Sequence, residues 1–104
     1  MEHHKAKKIV IITEKLIVDN VTKLIEECGA TGYTVTAAGG KGSRGVRSAR
    51  GGPSDAFNNV KIEVITASEQ QANDIADKLA EKYFKNYSGI TYLVDVEILR
   101  PQKF

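Results

Sequence analysis

Residues 8–13 read Lys-Ile-Val-Ile-Ile-Thr, and this stretch decides how the rest of the chain is interpreted. The run is continuous and rich in β-branched residues, which predicts a central strand that is covered on at least one face. Apolar residues then recur at helical spacing and stop at Gly29, which is typical of a helix end. The apolar stripe of this first predicted helix is Ile17, Val21, Leu24, Ile25 and Cys28.

Three further strands and a second helix follow from the same kind of pattern. Residues 31–38 alternate as a second strand, and a third strand begins near Asn59. Ser68 and Gln71 form a Ser-x-x-Gln capping box, which predicts the start of the second helix. Its predicted core face is Ala72, Ile75, Ala76, Leu79 and Tyr83, and the Ser88-Gly89 pair is expected to end it.

The last predicted strand has an apolar face made of Ile90, Tyr92, Val94, Val96 and Ile98. The resulting order is βαββαβ, which predicts an α+β, ferredoxin-like fold with an antiparallel sheet and both helices on one face. Apolar alternation in the third and fourth strands suggests that the other face is covered as well, most naturally by sister subunits. Tyr33, Tyr83 and Tyr92 are interpreted as packing residues.

Length and composition describe one globular domain covering residues 1–104. No apolar run is long enough to span a bilayer and no hydrophobic signal peptide is evident, so we expect a cytoplasmic protein. The single cysteine, Cys28, excludes a disulfide within the chain. His3 and His4 lie in a polar tip without a third ligand, so no metal site is predicted.

The helical and strand patterns break between residues 39 and 57. Six glycines lie between Gly39 and Gly52, and this segment holds three of the four arginines of the chain. Its local charge is +3, from Lys41, Arg44, Arg47 and Arg50 against Asp55, while the rest of the chain carries −1. Glycines allow backbone N–H groups to converge on an oxyanion, and arginines match phosphate geometry, so we predict an anion-binding loop. A solvated, disordered basic loop is an equally open interpretation of composition alone.

Several segments resemble one protein family. They are Ile11-Ile12-Thr13-Glu14-Lys15, Gly32-Tyr33-Thr34-Val35, Gly39-Gly40-Lys41-Gly42-Ser43-Arg44 with Val46-Arg47-Ser48, and Lys82-Tyr83-Phe84 with Tyr87-Ser88-Gly89-Ile90. Together they are similar to the PII-like signalling proteins of bicarbonate uptake, which comprise SbtB and the carboxysome-associated PII proteins (CPII). The resemblance covers the chain from about Lys7 onward and is most specific at residues 41–48.

The resemblance implies a homotrimer that binds AMP, ADP, ATP and, in some members, cyclic AMP in clefts between subunits. Residues 39–57 would be the T-loop, which contacts a partner such as a membrane bicarbonate transporter. In the carboxysome-associated branch, bicarbonate itself takes part in binding alongside ADP or AMP. By match to the family motif, the phosphate would be held by Lys41, Gly42, Ser43, Arg44 and Arg47. Gly89 and Ile90 would offer backbone groups to the adenine, and Val46 and Arg50 would contact the partner. The protein would need no cofactor and would reach a membrane only through its partner.

One departure from classical PII proteins changes the expected ligand contacts. Those proteins carry a lysine in the turn before the last strand, whereas Tyr87-Ser88-Gly89-Ile90 has none. The arginines of the loop therefore become the main candidates for neutralising phosphate. Classical PII proteins also hold 2-oxoglutarate with a glutamine of the T-loop, and residues 33–58 contain no glutamine, so sensing of 2-oxoglutarate is not expected.

Two other function classes share the predicted order of elements. An RNA-recognition module has the βαββαβ order, but it stacks bases on aromatics of its first and third strands, and those strands have none here. An enzyme such as an acylphosphatase shares the fold, but no Ser/His/Asp or Cys/His set of catalytic residues is available. We therefore expect a regulatory protein rather than an enzyme, with the RNA-binding module as the alternative.

Overall fold

The computed structural model describes residues 3–39, 41–42, 45–46 and 58–100. Strand β1 (His4–Glu14) leads through a 3₁₀ turn (Lys15–Ile17) into helix α1 (Val18–Glu27). The remaining elements are β2 (Thr34–Ala38), β3 (Lys41–Gly42), β4 (Gly45–Val46), β5 (Asn59–Thr66), α2 (Glu69–Lys82) and β6 (Gly89–Ile98).

The four long strands form one antiparallel sheet in the order β2-β5-β1-β6. Strand β1 is central, since it pairs with β5 over residues 7–14 and with β6 over residues 4–13. The two helices pack on one face, which is the ferredoxin-like βαββαβ arrangement, so the predicted fold is confirmed. Within the described residues, neither helix is long and apolar enough to cross a membrane.

The core lies between the helices and one face of the sheet. Alternate residues of β1 and β5 point to this face, and they meet the apolar stripes predicted for the two helices. The buried core consists of Ile9, Ile11, Ile17, Val21, Leu24, Ile25, Val60, Ile62, Val64, Ile75 and Leu79. Gly29 has a positive φ of 91°, and its conformation ends α1 as the sequence predicts.

Strand β6 presents its apolar residues to the opposite face, which we call the open face. Leu93 pairs with the core residue Ile9, so the odd-numbered residues of β6 point towards the helices. The apolar set Ile90, Tyr92, Val94, Val96 and Ile98 therefore lies on the side without helices. Tyr92 is 43% exposed and Ile90 is 55% exposed. The sequence predicts Tyr92 as a packing residue, but within a single chain it does not pack in the core. Tyr33 and Tyr83 do pack against the core.

Several element boundaries differ from the sequence pattern. Strand β1 begins at His4 rather than Lys8, because its polar first residues find partners in β6, where Lys7 bonds Asp95 at 2.5 Å. Strand β2 begins at Thr34 rather than residue 31. Helix α2 ends at Lys82, because residues 83–87 turn back through backbone hydrogen bonds to Leu79 and Tyr83.

The segment expected to be an irregular loop contains a short hairpin. Strands β3 and β4 pair through Lys41 with Val46 and Gly42 with Gly45. Such a short ladder shows no hydrophobic periodicity, so the sequence pattern could not reveal it.

Gln71 connects the start of α2 to the end of α1. Its backbone N–H donates to Ser68 Oγ at 3.1 Å, which confirms the predicted helix cap. Its side-chain oxygen accepts from the backbone N–H of Ala67 at 2.7 Å, and its Nε2 donates to the Cys28 carbonyl at 3.1 Å. One amide side chain therefore joins the residue that precedes the cap of the second helix to an end carbonyl of the first.

Replacing Gln71 with glutamate is expected to lower the free energy of unfolding by about 1–2 kcal/mol. The carboxylate keeps an acceptor for the Ala67 N–H but loses the donor to the Cys28 carbonyl, which it then faces as a second acceptor. Urea denaturation at fixed protein concentration measures the change. Gln70→Glu, at an exposed neighbouring position, is the matched control. Equal stabilities of the two variants would contradict the role assigned to Gln71.

Candidate functional site

The sheet register brings four chain segments to one end of the sheet. Glu14, the last residue of β1, pairs with Asn59, the first residue of β5. Asn59 in turn pairs with Ala38, where β2 ends, and Thr13 pairs with Gly89, where β6 begins. The segment between β2 and β5 therefore leaves and re-enters the sheet at the end that carries the turn before β6. Three strand spacings, about 14 Å, separate β2 from β6.

The turn before β6 is held by backbone bonds to the end of α2. Phe84 N–H donates to the Leu79 carbonyl at 3.1 Å, while Asn86 and Tyr87 N–H groups donate to the Tyr83 carbonyl at 3.1 and 2.9 Å. Tyr83, Phe84 and Tyr87 also pack against the core. The turn is thus anchored on its helical side before the chain reaches Ser88.

Two side chains of β1 anchor the turn on its strand side. Thr13 Oγ1 donates to the Ser88 carbonyl at 2.7 Å, and Glu14 Oε2 accepts from the Ser88 N–H at 2.6 Å. Both polar groups of the Ser88 backbone are therefore satisfied by neighbouring residues of one strand. No sequence pattern pointed to these contacts, although Thr13 and Glu14 lie in a segment that carries the family resemblance.

Gly89 is required by its contact with Phe84. A β-carbon at position 89 would overlap the Phe84 ring, so only glycine lets the ring close over the start of β6. Ile90 follows on the open face, beside Ile12 of β1. Of the residues predicted to bind nucleotide, Gly89 and Ile90 thus lie at the shared end of the sheet, next to Thr13.

The other predicted site residues belong to the segment between β2 and β5. Lys41, Gly42 and Val46 lie in the β3–β4 hairpin, and nothing is described of their side chains. Ser43, Arg44, Arg47 and Arg50 lie outside the described residues. The structure therefore leaves the predicted phosphate-binding and partner-binding roles as predictions.

Asn59 has an unusual environment at the same end of the sheet. It is fully buried, and neither Nδ2 nor Oδ1 of its amide has a hydrogen-bond partner among the described residues. Next to it, Glu14, Lys15, Leu16 and Asn58 line a surface pocket of about 460 Å³. A buried amide without partners is costly, so this position needs a polar group from outside the described part of the single chain.

An ion pair lies on the open face. Lys8 Nζ donates to Glu63 Oε1 at 2.7 Å, and this hydrogen bond holds the pKa of Glu63 below its ordinary value. On this face Lys8 lies directly beside Val94, so the ion pair borders the apolar residues of β6. Within the part of the chain that the structure describes, no group of three or more His, Cys, Asp or Glu side chains could hold a metal ion.

Comparison with known proteins gives a consistent set of relatives. The sequence model of the family described as nitrogen regulatory protein P-II matches residues 6–103. A PII-like signalling protein from Thermus thermophilus is 30% identical, with a TM-score of 0.78 over 99% of this chain and 98% of that chain. CPII from Thiomonas intermedia, in its structure bound to ADP and bicarbonate, is 26% identical, with a TM-score of 0.82 over 96% of this chain and 94% of that chain.

Substitution of Gly89 by alanine is expected to lower the free energy of unfolding by about 1–3 kcal/mol, because the new methyl group overlaps the Phe84 ring. In a Phe84→Leu background the same substitution should cost much less, since the ring is gone. Urea denaturation of the two single variants, the double variant and the unmodified protein gives the coupling energy. Additive losses would show that the ring does not dictate glycine at this position.

Proposed function

This chain belongs to the P-II family of nitrogen regulatory proteins, and from that membership we propose that it is a regulatory protein that senses adenine nucleotides. ADP and AMP are the proposed main ligands, with ATP and cyclic AMP as further candidates. The observation that carries the proposal is the shared end of the sheet, where the Gly- and Arg-rich segment is rooted beside the Gly89 turn. The proposed phosphate-binding loop therefore leaves and rejoins the sheet at the end that carries the proposed purine-binding turn.

The two halves of the proposed site use different chemistry. The backbone of Gly89 and Ile90 pairs with the adenine, which needs no specialised side chain. The phosphates are held by the loop residues Lys41, Gly42, Ser43, Arg44 and Arg47. Arginine forks form charge-assisted hydrogen bonds with phosphate oxygens, and the local charge of +3 favours an anion. Val46 and Arg50 are the proposed contacts with a partner protein.

Bicarbonate is the proposed second ligand. CPII, the Thiomonas relative, was solved with ADP and bicarbonate together. The unpartnered amide of Asn59 supports such a ligand here, because it offers both donor and acceptor groups at the root of the loop. With bicarbonate as a signal, the regulated process is proposed to be inorganic-carbon uptake or carboxysome function, through a partner such as a membrane bicarbonate transporter. The protein itself would act in the cytoplasm.

A homotrimer is the proposed assembly. The apolar residues of β6 form a row on the open face, where neither helix covers them; the row consists of Ile90, Tyr92, Val94, Val96 and Ile98. Burial of this row against sister chains would remove exposed apolar area from water and create clefts between subunits beside the Gly89 turn. The proposed nucleotide site would then be complete only in the assembly.

An RNA-binding module has weaker support. On the open face, the central strands β1 and β5 carry Lys8, Val10, Ile12, Asn59, Lys61, Glu63 and Ile65, none of which is aromatic. Tyr92 lies on the edge strand β6, where a single ring cannot form the stacking platform of that module. A signalling role rather than catalysis also agrees with membership of a family of regulators.

Calorimetric titration with AMP, ADP, ATP and cyclic AMP, each with and without bicarbonate, tests the proposed function. We expect ADP or AMP to bind and bicarbonate to strengthen ADP binding. Arg47→Ala should weaken ADP binding about tenfold, because a charge-assisted phosphate contact contributes about 1.5–3 kcal/mol. Lys78→Ala removes a charge from the exposed surface of α2 and is the matched control. Failure of all four nucleotides to bind would refute the proposal.

Tyr92→Glu is expected to dissociate the proposed trimer, because an ionised carboxylate cannot be buried cheaply in an apolar interface. Light scattering after size-exclusion chromatography should give three times the 11.4 kDa chain mass for the unmodified protein and the monomer mass for the variant. Far-UV circular dichroism checks that the variant remains folded. Ala80→Glu, on the exposed face of α2, should stay trimeric. An unmodified monomer, or a trimeric Tyr92→Glu variant, would contradict this assembly.

A further inference from the structure

The end of β1 contacts both halves of the proposed nucleotide site. Through their side chains, Thr13 and Glu14 hold the carbonyl and the N–H of Ser88 at 2.7 and 2.6 Å. Through the backbone, Glu14 pairs with Asn59, and Lys15 N–H donates to the Asn58 carbonyl at 2.9 Å. Asn58 and Asn59 are where the Gly- and Arg-rich segment rejoins the sheet.

These contacts differ in strength. The bond from Ser88 N–H to the Glu14 carboxylate is short, as is usual when the acceptor is charged, and such bonds are about twice as strong as neutral ones. Thr13 is fully buried, so its hydroxyl bond is shielded from competing water. The Ser88 N–H belongs to the Tyr87–Ser88 peptide and the Ser88 carbonyl to the Ser88–Gly89 peptide, so the two bonds fix the two consecutive peptide planes that lead into β6.

We propose that Glu14 is a positioning residue, which fixes the Tyr87–Ser88 peptide next to the one held by Thr13, so that the turn enters β6 in the direction needed for purine recognition, and which links that turn to the root of the phosphate-binding loop. The role rests on the proposed function, since it supposes that the turn reads a purine base. Glu14 itself need not touch the ligand. Its side chain orients the turn while its backbone belongs to the ladder that carries Asn59, so the two halves of the site keep a fixed relative position.

Three variants separate this role from simple stabilisation. Glu14→Ala removes the acceptor for Ser88 N–H, Glu14→Gln keeps a neutral acceptor, and Thr13→Val removes only the hydroxyl donor. Glu27→Ala, at an exposed residue that ends α1, is the control. Calorimetry with ADP and with GDP gives both affinity and base preference, and thermal unfolding records stability separately.

We expect Glu14→Ala to weaken ADP binding about tenfold and Glu14→Gln about threefold, because the amide accepts a weaker hydrogen bond. The preference for ADP over GDP should fall in Glu14→Ala and Thr13→Val, whereas Glu27→Ala should leave it unchanged. Loss of base preference is the decisive readout, since a merely destabilised fold lowers the fraction of competent protein equally for both nucleotides.

The outcomes distinguish the positioning role from the proposed function. If the unmodified protein binds ADP with a preference over GDP and Glu14→Ala retains both affinity and preference, the positioning role is refuted and the proposed function stands. An affinity lost equally for ADP and GDP, together with a fall in thermal stability, would also refute it. If the unmodified protein binds no adenine nucleotide, the proposed function fails, and purine positioning fails with it.

Discussion

The pairing of β1 with a neighbour on each side is the constraint on which the rest of the structure depends. Its ladder with β5 sets Ile9 and Ile11 beneath the helices, and its ladder with β6 sets Gly89 beside Thr13. Side chains alternate along a strand, so a shift of one residue would turn the core residues of β1 to the open face. The same shift would separate Gly89 from Thr13. Core packing and the geometry of the candidate site are therefore specified by one register.

The two flanking strands use their apolar residues in opposite ways. In β5, Val60, Ile62 and Val64 point to the helices and are buried. In β6, the apolar set points away from the helices, while Thr91 and Asp95 take the helix side. Identical alternation in the sequence thus serves the core in one strand and an external surface in the other. The choice is made by the register with β1, which explains why an apolar row remains available for assembly.

Sequence periodicity predicted the element order and most of the core, because both depend on local spacing. It misplaced the ends of β1 and α2, which are fixed by pairing with β6 and by the bonds of residues 83–87. Composition identified residues 39–57 as an anion-binding candidate, and family resemblance singled out Gly89 and Ile90. The Thr13 and Glu14 contacts with Ser88 could not be predicted, since they join residues 75 and 74 positions apart. Only the folded register brings them together.

The absence of a lysine from the Tyr87–Ile90 turn has a consequence for how such a site would signal. Backbone groups can read a base, but they contribute little to neutralising phosphate, so in the proposed site that task would fall to Arg44 and Arg47. These arginines belong to the segment that also carries the proposed partner contacts. Phosphate binding would then order the partner-binding residues directly, with no movement of the sheet. Coupling of nucleotide binding to partner binding would then need only a fixed scaffold and one segment, residues 39–57, that responds to the ligand. The contacts of β1 with β5 and with Ser88 supply that fixed scaffold.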